Sequence, residues 1–347
     1  MFSLPLALAA LAVSARAQIT GTFPATPLAS KTGFTYPSGI PEKVDTDTGL
    51  IRGTQFGYNI CNSTTENQNS NCQTAFFNGL DDFCLWAPAA PNSTVADLEG
   101  EMVAWCTKPG RGTRLIPAGA LQGVQYIKTP DYAQVVGFID QTQINLQADD
   151  FGGEMDPHGA DLRGNPMGGI LFTSIFSTDG NMQQAPEWNN FMGGKGFCFK
   201  VCNPNNPDST KYCQNIYDRI GCVYNVPNTA QNGTFEACQG DNMDPPPPES
   251  LGPITSIPYS ARIPPSSNCV PTSSAAIFTA LPSPTNAPSA SAPVTTVVST
   301  GSDGSMVTLT QTGSAAAASN TNTSGAETLT ISGVSILGAV IASLFFA

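Results

Sequence analysis

Ten cysteines constrain this chain more than any other feature: Cys61, Cys72, Cys84, Cys106, Cys198, Cys202, Cys213, Cys222, Cys238 and Cys269. An even set in an oxidising compartment argues for five disulfides, and a chain so stapled need not rely on its core alone. The cysteines fall into two groups, four between 61 and 106 and six between 198 and 269. Pairing within each group is the simplest expectation, and spacing does not choose among the connectivities. A zinc site is the rival reading, because Cys198, Cys202 and Cys213 are close in sequence. Such sites use tighter pairs and often histidine, and the single histidine is distant, at His158.

Both ends of the chain point to that compartment. Residues 4–13 are apolar and are followed by Ala15-Arg16-Ala17, a small-residue cleavage pattern, so residues 1–17 read as a secretory signal peptide. Residues 331–347 are apolar and carry no basic anchor. Upstream lie Ser324, Gly325 and Ala326, then a short polar spacer. Small residues, spacer and tail form the pattern of a GPI-attachment signal over 325–347, with lipidation at Ser324 or at its neighbours Asn322 or Gly325. A single membrane span is the alternative. At about 1.5 Å per residue the tail would reach roughly 25 Å, short of the ~30 Å hydrocarbon core.

Charged residues make up 12% of the chain, and the net charge is −12. That balance excludes nucleic acid as a partner, which needs basic patches, and limits membrane contact to the lipid anchor. Four sequons add candidate glycans at Asn62, Asn92, Asn232 and Asn322.

Composition divides the mature chain. Residues 18–50 are rich in Thr, Pro and Gly and read as an extended arm. Residues 51–245 hold nine cysteines and most aromatic residues, enough to bury a real core. Residues 246–324 begin at a proline run and become a disordered, O-glycosylated Ser/Thr/Pro stalk. Within the domain, short β-branched or aromatic runs at 102–106, 124–128, 133–139, 143–147, 170–176 and 197–202 predict strands. The strict alternation of 143–147 predicts one wet face. Residues 211–221 predict a short helix stopped by Gly221. The expected fold is mostly β: a disulfide-stapled, sandwich-like domain with one short helix.

The densest chemistry lies in 149–169, a long, glycine-rich, acidic segment containing His158. Three readings stand open. Glu154, Asp156, His158 and Asp161 could hold a metal such as Ca²⁺. Two of the acids could perform acid–base chemistry on a glycosidic bond. Or the loop is structural, with Arg163 paired to Asp161 or Asp156, which is the reading the sequence favours. Nucleophilic catalysis has no support: there is no G-x-S-x-G elbow, and a triad could use only His158. A separate run places Trp188 beside Glu187 and Asn189, a composition that suits sugar recognition, although large aromatics more often fill cores.

The runs Met155-Asp-Pro-His-Gly-Ala-Asp-Leu-Arg-Gly, Trp188-Asn-Asn-Phe-Met, Phe197-Cys-Phe-Lys-Val-Cys and Tyr212-Cys-Gln-Asn-Ile-Tyr resemble those of fungal secreted glycoproteins of the macrophage-activating-glycoprotein-like kind, over residues 50–245. The resemblance implies a fungal surface or secreted glycoprotein and transfers no catalytic residues. The expected molecule is a GPI-anchored protein of the cell surface or cell wall with a structural or interaction role, meeting wall polysaccharide or other surface glycoproteins. A secreted carbohydrate-active enzyme or metal-binding protein is the alternative. No cofactor beyond Ca²⁺ is expected.

Overall fold

The structure, a computed structural model, describes residues 24, 26–48, 50–246 and 262–278, together with the backbone of 294–300 and 306–312. The expected signal peptide, Asn322, Ser324 and the expected anchor signal lie outside the described residues. The chain divides into two compact units, Met1–Ser283 and Pro284–Ala347.

In chain order the strands of the first unit are β1 (Thr74–Gly79), β2 (Asp82–Ala87), β3 (Val103–Cys106), β4 (Arg114–Leu115), β5 (Leu121–Lys128), β6 (Tyr132–Ile139), β7 (Gly153–Met155), β8 (Ile170–Thr173), β9 (Gln183–Gln184), β10 (Trp188–Gly193), β11 (Gly196–Cys202), β12 (Phe235–Gly240) and β13 (Ser266–Thr272). Helix among the described residues is confined to short pieces: α1 (Val95–Leu98), α2 (Cys222–Asn225), α3 (Ser274–Ile277) and four 3-10 segments. In the second unit, β14 (Val294–Thr300) and β15 (Met306–Thr312) pair as an antiparallel hairpin.

The first unit is a mostly β sandwich, as the runs of β-branched and aromatic residues predict. One sheet has the order β4-β3-β2-β1-β8-β9, and the other β13-β12-β5-β6-β11-β10-β7. Their inner faces meet through aromatic pairs, Phe77 with Phe199 at 5.5 Å, Phe83 with Phe197 at 6.0 Å and Trp86 with Trp188 at 5.7 Å between ring centroids. The buried Asn190 crosses the same interface, its Oδ1 accepting from the Trp86 backbone N–H at 2.9 Å.

The outer faces are covered too, which explains why β2 and β6 read as nearly continuous buried runs rather than alternating ones. On the first sheet, Tyr36 of the N-terminal arm packs on Phe76 and Phe172. On the second sheet, Cys198, Lys200 and Cys202 alternate with the inward Phe199 and Val201, and residues 207–230 with Met243 lie over them. Lys200 is fully buried there. Its ammonium donates to the carbonyls of Tyr212 and Asn225 and meets Met243, while burial pulls its pKa down to about 7.

All ten cysteines are paired, as Cys61–Cys72, Cys84–Cys106, Cys198–Cys222, Cys202–Cys213 and Cys238–Cys269. Every pairing stays within its own sequence group.

Two local expectations are corrected. Residues 143–147 are not a strand: Gln141–Ile144 is a 3-10 turn, opened by the Asp140 side chain accepting from Thr142 N–H and closed by Asn145 in the left-handed region at φ 73°. The alternation of polar and apolar residues there reflects which sides of a turn are buried. Residues 211–221 are not a helix ending at Gly221. A 3-10 segment, Pro207–Tyr212, ends two residues into the stretch, and Gly221, at φ 68°, instead opens α2. The bonds of Cys213 to Cys202 and of Cys222 to Cys198 draw this stretch flat across β11, and a continuous helix cannot follow that path.

Candidate functional site

The outer layer does not cover the second sheet completely. Where β7, β10, β11 and β6 run beneath residues 215–230, a cleft of about 920 Å³ remains. That is near the upper end of the roughly 300–1,000 Å³ usual for small-ligand sites. Glycines 137, 152, 153, 193 and 196 form much of its floor. Phe151 stands at its rim with 95% of its surface exposed.

Four carboxyls face this cleft: Glu99, Glu154, Asp156 and Asp218. Glu154 is placed by β7, whose register sets it opposite Phe191 on the outer face of the sheet. Asp156 follows one residue beyond β7, and its backbone bridges Asn165 in both directions at 2.9 and 2.8 Å. Its Oδ1 accepts from the N–H groups of His158 and Gly159 at 2.7 and 2.8 Å. Glu99 comes from the turn after α1, whose Val95 N–H is held by Asp150 Oδ2 at 3.0 Å. Asp218 comes from the outer layer, between the two cysteines that fasten it.

Electrostatics in the cleft follow from crowding. Both Glu154 oxygens are buried and meet no donor. Its neighbour Asp218 is another carboxyl, so a bond between the two needs a shared proton. Burial, then the charges of Asp156, Asp218 and Glu99, push the Glu154 pKa well above the usual carboxylate range. Burial also pushes Asp156 up to about 6, against the lowering effect of its two backbone donors. Glu99 is raised by burial, although the Arg52 guanidinium and Asn165 oppose the shift.

Of the four residues expected to gather round a metal, the fold brings together Glu154 and Asp156 alone. His158 turns away to Glu187, with Nε2 3.0 Å from the carboxylate. Burial lowers its pKa, but the Glu187 hydrogen bond and charge, with Asp156, outweigh that and leave it raised. Asp161 is held by Arg52 through two guanidinium nitrogens. Among the described residues, the one set of three potential ligand atoms within 4.8 Å of one another is Glu236, Cys238 and Cys269, and both cysteines there are spent in a disulfide. Arg163 pairs with neither Asp161 nor Asp156 as its main partner. Fully buried, it donates to Asp45 Oδ2 at 2.9 Å and to the Gly53 carbonyl at 2.7 Å, tying the loop to the N-terminal arm.

Glu187, Trp188 and Asn189, expected to form a sugar platform, are not among the residues that line the cleft. Trp188 is 1% exposed and lies between Trp86 and Phe199 in the core, so its ring offers no face to a ligand. It begins an inward-facing alternation on β10, and Asn189, on the opposite face, is buried under the outer layer. Glu187 is engaged by His158. The residues not anticipated are Glu99, Asp218 and Phe151. Phe151, a large aromatic flanked by Asp150 and Gly152, carried the one local signal. The two acids are 55 and 64 residues from Glu154 in sequence and converge on it only through the fold.

No protein-family model matches the chain, and no solved structure matches it. Over 188 residues it is 47% identical to the appressorium protein ROW1 of Mycosarcoma maydis, covering 54% of this chain and 44% of that protein. The chain therefore spans less than half the length of ROW1. Over 208 residues it is 44% identical to the appressorium protein ROW2 of the same fungus, covering 59% of this chain and 69% of its relative. With that identity over more than two thirds of the relative, the chain belongs to the family of the appressorium protein ROW2.

Proposed function

We propose that the chain is an extracellular fungal cell-surface protein that binds wall saccharide in the cleft between β7, β10 and the outer layer. The observation that carries this reading is Phe151, an almost fully exposed aromatic ring at the rim of a carboxyl-lined cleft. Sugar rings present apolar C–H faces to aromatic rings and hydroxyl donors to carboxylates, and the cleft offers both complements. The naming of both relatives as appressorium proteins supports a place at the fungal surface. A secretory signal at 1–17, a GPI signal at 325–347 with attachment at Ser324, and glycans on Asn62, Asn92, Asn232 and Asn322 complete the proposal. The first three of those asparagines are exposed, which is the condition for modification. The likeness to macrophage-activating-type glycoproteins fits the same setting. Partners are wall polysaccharide or other surface glycoproteins. The carboxyl-lined cleft repels phosphate backbones.

The test is retention of the secreted full-length chain on insoluble wall polysaccharide. Phe151→Ala should lower the retained fraction severalfold without changing the melting temperature, because the ring buries almost nothing. Equal retention by wild type and variant would remove the cleft from the reading.

Glu154 favours a second reading, hydrolysis of a glycosidic bond. A carboxyl held protonated beside an ionisable neighbour is the arrangement of a general acid and its partner. Release of reducing ends by the wild type and its loss in Glu154→Gln is the expected result. No release by the wild type would exclude this reading.

A further inference from the structure

We propose that the cleft selects saccharides bearing free ammonium groups, an amino-sugar polymer of the deacetylated kind, in preference to neutral glycans. This rests on the saccharide reading above and narrows it to one substrate class.

Charge is the first ground. Glu99, Glu154, Asp156 and Asp218 line one cleft, and Arg219 is the only Arg or Lys among its lining residues. The nearby cations are already committed: Arg52 to Asp161, Asn165 and the Gly164 carbonyl, Arg163 to Asp45 and His158 to Glu187. Protons held by the crowded carboxyls, Glu154 above all, offset part of this charge, and the negative field develops as Asp156 ionises above about pH 6. The second ground is Glu154. Its carboxyl is buried, with 5% of the residue exposed, lines the cleft, and meets no N–H donor at either oxygen, its one polar neighbour being the Asp218 carboxyl. A buried acceptor without a proper donor is destabilised, and a ligand that brings a donor relieves it. Neutral hydroxyls supply such a donor weakly. An ammonium supplies three donors and a positive charge that favours the ionised form of the crowded carboxyls, and charge-assisted bonds are roughly twice as strong. Phe151 then takes the apolar face of a ring at the rim, which a simple polyamine does not offer.

The groups that titrate around Asp156 are Glu154 beside it on β7, Glu99 from the turn after α1, Asp218 from the outer layer, and His158 within its own loop, with Arg52 and Arg219 as fixed cations. As pH rises through about 6, Asp156 ionises. Affinity for the ammonium form therefore rises over that range, until the amine itself loses its proton.

Calorimetry on the secreted full-length chain tests this, with a β-1,4-linked glucosamine hexamer, its fully N-acetylated counterpart, a β-1,3-glucose hexamer and tetralysine as probes. The glucosamine hexamer should bind roughly tenfold tighter than the acetylated one at pH 6.5. Most of that margin should vanish in 0.5 M salt and in Asp218→Asn, whose exposed site leaves folding intact. Glu154→Gln, read alongside its melting temperature, should reduce the margin further. Equal or tighter binding of the acetylated hexamer overturns the proposal, as does tighter binding of tetralysine or an unchanged Asp218→Asn variant. If the neutral hexamers bind and Phe151→Ala weakens them, the saccharide reading stands while this one falls. If no saccharide binds, both fall.

Discussion

Asp156 shows how one side chain serves both folding and chemistry. One oxygen closes the turn into His158 and Gly159, while the carboxyl as a whole sits in a buried cluster of acids. Its pKa rises from 3.8 to about 6. The folded state therefore holds this proton more tightly than the unfolded chain does. The stabilisation from that proton is complete below about pH 4 and is lost as pH rises through 6. Asp156→Asn keeps an oxygen for the two backbone donors and removes the titration. The wild type should lose up to about 3 kcal/mol between pH 4 and pH 7 relative to the variant. Denaturant melts of both at those two pH values measure it, and parallel curves would show that the carboxyl is not perturbed. Residue identity alone did not disclose this behaviour. Glu154, Asp156, His158 and Asp161 look equivalent as a string of polar residues at near-alternate positions, but Arg52 claims the last and Glu187 the third. Both claimants lie outside the loop.

At the scale of the element, β7 is the strand on which the cleft depends, and it is only three residues long. It can lie against β10 because Gly152 lets two backbones approach. A Cβ there would stand 1.6 Å from the Met192 carbonyl oxygen, at φ +88°. Gly152→Ala should separate β7 from β10, cost several kcal/mol and abolish binding in the cleft. Gly110→Ala is the control, with nearly the same φ of +87° and open space around the new methyl. It should cost about 1 kcal/mol. Thermal melts of the pair separate steric clash from backbone strain, and equal losses would mean that the close approach is unimportant. The long strands β5, β6 and β11 were legible because they are written in β-branched and aromatic residues, whereas β8 stops at Thr173, short of the expected 176. The turn at Gln141–Ile144 was not, because polar–apolar alternation has the same appearance in a capped turn half-sunk in the surface. The 211–221 stretch was misread because helix propensity takes no account of cross-links. Cys213 and Cys222 settle its path through Cys202 and Cys198, four residues apart on one strand.

In the first unit as a whole, cross-links do what a larger core would do elsewhere. Cys238–Cys269 encloses a separation of 31 residues and holds β13, every residue of which is exposed, against β12. Closing such a loop is worth about 3–4 kcal/mol in chain entropy. The Cys238→Ser, Cys269→Ser double variant should release β13 to limited proteolysis while the sandwich persists, since the aromatic contacts between the two sheets do not involve it. Mass spectrometry of the digest would show a cut near 262–272. A digest identical to that of wild type would mean that pairing with β12 alone holds the strand. The pairing of all ten cysteines within two groups was anticipated from sequence, but their partners were not, because connectivity is decided by which strands lie side by side. The two bonds from β11, Cys198–Cys222 and Cys202–Cys213, have one more effect. They rivet the layer that roofs the cleft to the sheet that floors it, on either side of Asp218. A ligand bound as proposed above should therefore meet much the same opening on arrival and on departure. Its residence time is governed by the contacts it must break, not by the opening of a gate.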